Sequence, residues 1–275
     1  MSRITHTPQV LTGVLIVGLF VSLALFAPSL APQGPAVQNL SEDLQPPSGA
    51  HLFGQDKLGR DVLSRVVYGA RISLLVGVLV VSVSALTGVG IGALAGYAGG
   101  WTDEVIMRGI DVLLAFPGML LAIGLAAVLG PSLRNTVVAL TAIGWTSYAR
   151  LVRGEVLAWR EREFVSAAVA LGAPPVRVVV VHIVPQLLPT LVVQAAFGMA
   201  GAIVAEASLS FLGLGVQPPT PSWGAMIDDG RSFLLVAPHV AFFPGAAIML
   251  TVLGLHLLGD GLRDALDVRS LGAPD

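Results

Sequence analysis

The sequence contains no cysteine. Disulfide scaffolds, cysteine-ligated zinc and thiol chemistry are therefore excluded. Charge is scarce: 12% of the 275 residues are charged, where a soluble domain carries about 25%. Lys57 is the only lysine, and every other basic side chain is arginine. No glycine–lysine pair occurs, so no phosphate-cradling P-loop is present. If ATP drives this chain, another chain binds it. HExxH and Gly-x-Ser-x-Gly are both missing, which removes two common hydrolase signatures. The net charge is −2, which argues against a nucleic-acid partner. His182, His239 and His256 are too dispersed to form a metal site, and each reads as an interfacial residue. No catalytic residue and no metal ligand is assigned.

Apolar residues fill the space that charge leaves. They make up 55% of the chain, and the mean hydropathy is +0.83. That composition belongs in a bilayer. The expected fold is all-α, a polytopic membrane bundle of about six transmembrane helices, with the lipid bilayer as its first partner. The runs are Val10–Ala27, Ser73–Tyr97, Val112–Leu133, Asn135–Ala149, Leu187–Ala205 and His239–Leu258. The first has 18 residues, or about 27 Å of helix, close to the thickness of the hydrocarbon core. It reads as an uncleaved span, because no small-x-small cleavage site follows Pro28.

Between the spans the chain is polar. Pro28–Gly69 is rich in proline and glycine, and it ends in a charged lead-in holding Asp56, Lys57, Arg60, Asp61 and Arg65. As single charges these read as a solvated interfacial helix. Trp101–Asp111 is expected to be a short charged turn, and Phe116–Pro117–Gly118 to kink the third span. Ser208–Pro238 is too broken by glycine and proline for one straight helix. It reads as a re-entrant or surface-lying loop, with Trp223 at the membrane interface.

Gly88, Gly92, Gly96 and Gly100 recur every four residues in the uncharged stretch that holds the second span. In lipid this spacing leaves a smooth groove into which another helix packs closely. Asp111 and Glu206 are carboxylates in or beside apolar spans. An intramembrane carboxylate is a functional candidate, so both are candidates for a translocation path. The plainer reading of Glu206 is a helix-end carboxylate bonded to backbone groups of the Ser208–Gly215 loop, and a structural role is the plainer reading of Asp111 as well.

The longest charged interruption holds Arg150, Arg153, Glu155, Arg160, Glu161, Arg162, Glu163 and Arg177. Glu155–Leu171 is a run of helix formers without glycine or proline. Gly172 is placed to end that helix in a left-handed conformation, Ala173 precedes a proline, and Pro174 or Pro175 starts a second helix. Pro185 and Pro189 are expected to break the pattern before the fifth span. The segment predicts helix, tight turn, helix on a membrane surface. Small residues at Ser166, Ala167 and Ala168 would let another protein's groove come close, with Phe164 as an anchor and Arg162 on its charged shoulder.

With six spans both termini share one side. That side would hold Arg3, Arg108, Arg150, Arg153, Arg160, Arg162, Arg177, Arg263 and Arg269, against Lys57, Arg60, Arg65, Arg71, Arg134 and Arg231 on the other. Basic residues accumulate inside, so the central segment and both termini are expected to be cytoplasmic.

Ser166–Ala–Ala–Val–Ala–Leu–Gly172, followed by Ala173–Pro–Pro–Val–Arg177 and Ile183–Val–Pro185, resembles the cytoplasmic EAA loop of ABC importer permeases. Ser166 stands where the family has its glutamate, and Val184 where it has a leucine. Further motifs look like the dipeptide, oligopeptide and nickel branch of that family. They are Phe53–Gly–Gln–Asp–Lys–Leu–Gly–Arg–Asp–Val–Leu–Ser–Arg65, Asp111–Val–Leu–Leu–Ala–Phe–Pro117 and Glu206–Ala–Ser–Leu–Ser–Phe–Leu–Gly–Leu–Gly215. The resemblance covers about Leu52–Arg269, and this chain looks like the second, shorter permease of a pair.

That resemblance implies a type I importer permease fold. It divides the chain into an N-terminal helix with its lead-in (1–71), a transmembrane domain (72–262, with a coupling segment at 155–185) and a cytoplasmic tail (263–275). It implies a bacterial inner-membrane location and half of a translocation pathway for di- or oligopeptides, working by alternating access. The partners implied are a second permease, two ATPase subunits and an extracytoplasmic binding protein. ATP and Mg would sit on the ATPases, with no cofactor on this chain. The ATPase-coupling residues would be Arg162, Phe164, Val165, Ser166, Ala167, Ala168, Gly172 and Ala173. A nickel or metal-chelate importer is the alternative within the same machinery, and a stand-alone ion-coupled carrier using Asp111 and Glu206 is the alternative outside it.

Overall fold

A computed structural model describes residues 8–266. Arg3, Arg269 and the end of the tail, which enter the charge balance above, lie outside the described residues. Among the described residues no strand forms, and the only extended pairing is an isolated bridge between Gln55 and Asp61. The helices are α1 (Pro8–Leu25), α2 (Ala27–Leu30), α3 (Val62–Ala98), α4 (Gly100–Leu114), α5 (Gly118–Leu129), α6 (Leu133–Arg160), α7 (Glu163–Ala170), α8 (Pro175–Arg177), α9 (Val184–Phe211), α10 (Trp223–Arg231) and α11 (His239–Leu266).

Four stretches are long and apolar enough to cross a membrane: α1, α3, the continuous run Pro175–Phe211, and α11. The pair α4 and α5 is apolar and long enough only when taken together, and a bend of 82° separates the two helices. Helix α6, with 28 residues, is long enough to cross, but Arg150, Arg153, Glu155 and Arg160 make its last third polar. Six crossing elements fit this list, as the hydropathy pattern predicts.

The frame is α3. Its 37 residues reach about 55 Å, well beyond a bilayer core of about 30 Å. Asp61 starts it: its Oδ2 accepts the Ser64 amide at 2.8 Å and the Ser64 hydroxyl at 2.7 Å. That cap satisfies a donor at the helix N-terminus. Three apolar clusters lie along α3. Near its start, Val62, Val66 and Leu74 meet Phe20 of α1, Trp223 and Met226 of α10, and Leu255 of α11. Midway, Val76 and Val80 meet Ala122, Ala126, Ala139 and Leu140 of α5 and α6. At its end, Ala93 meets Val152, Val156, Val165, Val178 and Leu187. The most extensive helix pair is α3 with α6. Gly88, Gly92 and Gly96 lie in that seam, whereas Gly100 stands outside it, in open space at the start of α4. A Cβ on Gly88 would collide with the Tyr148 side chain and one on Gly92 with the Ala149 carbonyl, and one on Gly96 would stand 2.8 Å from the Arg153 carbonyl.

Several expectations need correcting. The expected turn Trp101–Asp111 is helix α4, and the kink at Phe116–Pro117 is a break between two helices rather than a bend in one. Helix α6 runs unbroken from Leu133 through Gly154 to Arg160, so Glu155 continues a helix rather than starting one. The break falls instead at Glu161–Arg162. Arg162 turns to an extended conformation, φ −75° and ψ 145°, and its carbonyl accepts the amides of Val165 and Ser166 to begin α7. Pro185 and Pro189 do not stop the following helix, which is continuous from Pro175 to Phe211. A widened π turn over Val178–Ile183 precedes Pro185 and bonds the Val184 amide to the Val179 carbonyl. Offset in this way, the ladder accommodates a residue with no N–H, and prolines are tolerated in membrane helices by such local adjustments.

Ser208–Pro238 is also more ordered than predicted. Helix α9 takes its first four residues, α10 occupies Trp223–Arg231, and Trp223 is fully buried rather than interfacial. His239, expected at the interface, is buried with Nε2 3.1 Å from the Gln55 carbonyl.

Candidate functional site

Helix α7 is an eight-residue amphipathic stub held against one end of the bundle. One side chain anchors it: Val165, 2% exposed, inserts among Val152, Val156, Val178, Ile183 and Leu187. Full burial of such a side chain is worth about 1.5–3 kcal/mol. Two aromatic contacts fix its start. The Phe164 ring lies 6.1 Å from that of Trp159, and the Arg162 guanidinium lies 5.6 Å over the same indole. The helix ends at Gly172, with φ +83°. The Gly172 amide donates to Val169 and the Ala173 amide to Ala168, which is the Schellman pattern.

The remaining faces of α7 are open. Arg162, Glu163, Phe164, Ser166, Ala167, Val169 and Gly172 are exposed, and Ala168 and Ala173 are partly so. Leu171 and Val176, just beyond the helix, are 88% and 75% exposed. The result is a short, firmly anchored helix that presents small and apolar side chains between charged shoulders. All eight residues expected to couple to a partner fall in this one stretch, and the structure divides them. Val165 faces inward, Gly172 shapes the turn, and Phe164, Ser166, Ala167 and Ala168 lie on or beside the exposed surface. Ser166 lies on the exposed surface of α7.

Ion pairs brace the same end. Arg153 donates to both carboxylate oxygens of Asp103, at 2.8 and 2.6 Å, tying α6 to α4. Arg150 Nη2 donates to Asp111 Oδ1 at 2.6 Å, with both side chains about half exposed. Arg160 Nη1 donates to the Gly96 carbonyl at 3.2 Å, at the C-terminus of α3, where a cation is favoured. Asp103 was not singled out in the sequence, because nothing in its own helix marks a partner 50 residues away.

Glu206 lies apart from Asp111, and the structure does not bring the two together. Glu206 is fully buried in α9. Its Oε2 accepts the Ser73 hydroxyl of α3 at 3.2 Å and its Oε1 the Ser210 hydroxyl at 2.7 Å. That is the geometry of a tie between α3 and α9.

The lead-in forms a second charged cluster, at the start of α3. Contrary to the solvated helix expected there, Asp56, Arg60, Asp61 and Arg65 are all buried. Arg60 Nε donates to Asp56 Oδ2 at 2.6 Å and its Nη2 to Asp229 Oδ2 of α10 at 3.3 Å. Arg65 approaches the same two carboxylates, at 3.3 and 3.6 Å. Lys57 pairs with Asp229 at 2.6 Å, and His51 Nδ1 lies 2.9 Å from Asp61 Oδ1. The Phe53 ring stacks on Phe243 of α11 at 3.8 Å. The lead-in thus folds onto α10 and α11 of its own chain.

Comparison with known proteins gives a consistent picture. Residues 88–271 match the family described as binding-protein-dependent transport system inner membrane component. Residues 3–47 match the N-terminal TM domain of oligopeptide transport permease C. The dipeptide transport system permease protein DppC of Alkalihalophilus pseudofirmus is 47% identical over 257 residues, 94% of this chain and 84% of that protein. The glutathione transport system permease protein GsiD of Shigella dysenteriae is 46% identical over 274 residues, 98% of this chain and 89% of that protein. That of Pectobacterium atrosepticum is 49% identical over 221 residues, covering 80% and 73%.

Proposed function

The chain belongs to the binding-protein-dependent transport system inner membrane components, and from that premise we propose that it forms half of the translocation pathway of an ATP-driven importer for di- or oligopeptides. It is a multi-pass inner-membrane transport subunit, not an enzyme. The observation that carries the substrate class is likeness along nearly the whole chain to permeases named for dipeptide and glutathione transport. Full-length likeness matters here, because both the membrane bundle and the lead-in are included.

In this reading α7 docks in a groove of a partner ATPase. Its anchored Val165, stiff Gly172 turn and exposed Ala167–Ala168 face support that role. A short rigid helix transmits displacement where a floppy loop would absorb it. ATP binding closes the two ATPases, α7 moves with its own, and α6 and the Pro175–Phe211 helix on either side of α7 follow. The cavity between this chain and a second permease then opens outward to receive substrate from the binding protein. The α7 end, with Arg150, Arg153, Arg160, Arg162 and Arg177, is the cytoplasmic one by the positive-inside rule. ATP and Mg belong to the partner ATPases.

The test is reconstitution of the chain with its partner subunits in proteoliposomes. Two ATPases and a second permease are expected to copurify, and peptide uptake is expected to require ATP. Uptake driven by a proton gradient without ATP would overturn the assignment in favour of a secondary carrier. Uptake of nickel with no peptide uptake would move it to the metal-chelate alternative.

A further inference from the structure

A cavity of about 500 Å³ opens near the α7 end of the bundle, between α6, α9 and α11. Its size falls within the range of small-ligand pockets, about 300–1,000 Å³. The walls divide by chemistry: Leu151, Val193, Phe197 and Leu266 are apolar, and Thr190, Gln194 and Arg263 are polar. All three polar side chains can be reached, since Arg263 is exposed and Thr190 and Gln194 are half-buried. Among the described residues no carboxylate lines the cavity, so Arg263 is the one charge on its wall.

The polar groups are graded in depth. Helix α9 runs inward from Val184, so Thr190, Val193, Gln194 and Phe197 descend over about 10 Å. Helix α11 runs the other way and ends at Leu266. Phe197 sets the register between them. Its ring lies 5.4 Å from that of His256, and a Cβ on Gly259 would stand 3.0 Å from it. Arg263 is one turn beyond Gly259 toward the α7 end, which places it at the level of Thr190 and Val193 rather than of Phe197. The cavity therefore presents a cation and a hydroxyl at its mouth, an amide donor below them, and an aromatic ring at its depth.

That order matches a membrane phospholipid read from the surface inward: phosphate, ester carbonyls, acyl chain. A transported peptide fits less well, because its ammonium group would meet no acid on these walls. The location agrees, since basic pockets between membrane helices on the cytoplasmic side take anionic head groups. We propose that this cavity binds an anionic diacyl phospholipid of the inner leaflet. Arg263 and the Thr190 hydroxyl hold the phosphate, the Gln194 amide donates to an ester carbonyl, and one acyl chain lies along Leu151, Val193 and Phe197. The inference takes only the cytoplasmic placement of the α7 end from the proposed function.

The test is photolabelling of the full importer in phosphatidylcholine nanodiscs. The probe is a phosphatidylglycerol with a diazirine on its acyl chain, and cross-linked residues are mapped by mass spectrometry. Label is expected on α9 between Val193 and Phe197, at about five times the yield of the same probe with a choline head group. That ratio is what one arginine near an anionic lipid contributes. Arg263→Gln should bring the two head groups to equal yield there, and Arg263→Lys should restore the preference. Arg108→Gln, which alters an exposed arginine of α4 outside the cavity, should leave it unchanged. Val193→Trp, which fills the cavity, should remove the label for both head groups. Equal yield for the two head groups in the wild type, or a preference that survives Arg263→Gln, would overturn the site. Loss of the wild-type label on adding dialanine would overturn it as well and give the cavity to the transported peptide. Photolabelling needs no transport, so the lipid site can fail while ATP-driven peptide uptake stands, and uptake can fail while the site stands.

Discussion

The indole nitrogen of Trp223 donates a hydrogen bond to the carbonyl of Val66, 2.9 Å away and 157 positions earlier in the chain. The ring is fully buried, meets Phe20 edge-on at 5.6 Å, and closes over Gly69, where a Cβ would stand 2.9 Å from it. One side chain thus joins α1, α3 and α10. Trp223→Ala should destabilise the chain by about 3–5 kcal/mol. Trp223→Phe, which keeps most of the bulk and loses the donor, should lose about 1–3 kcal/mol. Unfolding midpoints of the purified chain in detergent would rank them, and a Phe variant as damaged as the Ala variant would refute the packing argument.

Asp56 and Lys57 are neighbours with opposite expectations. Asp56 is buried between Arg60 and Arg65, so Asp56→Ala leaves two buried guanidinium groups short of a counter-ion. Breaking such a pair costs about 3–5 kcal/mol. Lys57 is 41% exposed in its pair with Asp229, and Lys57→Ala should lose no more than about 1 kcal/mol. The same unfolding measurement, repeated in high salt, should also show that only the Lys57 contribution is screened.

Helix α7 separates folding from coupling. Val165→Ala removes its anchor and should lower stability by about 1–3 kcal/mol. Ala167→Trp on the open face should leave stability unchanged but weaken ATPase docking by about 2 kcal/mol, roughly thirtyfold in affinity. Gly172→Pro is incompatible with φ +83° and should uncouple uptake from ATP hydrolysis. Paired assays of hydrolysis and uptake would check this; variants that assemble and transport normally would remove α7 from the coupling role.

Glu206→Gln retains acceptors and donors for Ser73 and Ser210, so it should fold and transport nearly as the parent does. Glu206→Leu strands both hydroxyls in the bundle, at about 1–3 kcal/mol for each unsatisfied group. A Gln variant that folds but fails to transport would return Glu206 to the translocation path.

Local signals were legible in the sequence. Gly172 as a helix stop, the close-packed glycine seam and the apolar runs each depend on a few consecutive residues. Long-range pairings were not. Asp229 meets Arg60 across 169 positions, and no local pattern marks either as the other's partner. The burial of the lead-in follows from such a pairing: Arg60 and Arg65 share the local Asp56 with the distant Asp229, and only the second partner brings the cluster against α10. The effect of Pro185 depends on the π turn before it, and π turns have no composition of their own to read.

Helix α3 passes from the Asp56–Arg60–Arg65 cluster at one end to the Arg160-capped carbonyls at the other without a break. A strut of that kind cannot store a displacement in a hinge. A tilt of one degree moves one tip about 1 Å relative to the other over about 55 Å. The charged clamp at one end of α3 and helix α7 at the other are therefore joined by one unbroken strut, and a displacement of either end would reach the other undamped.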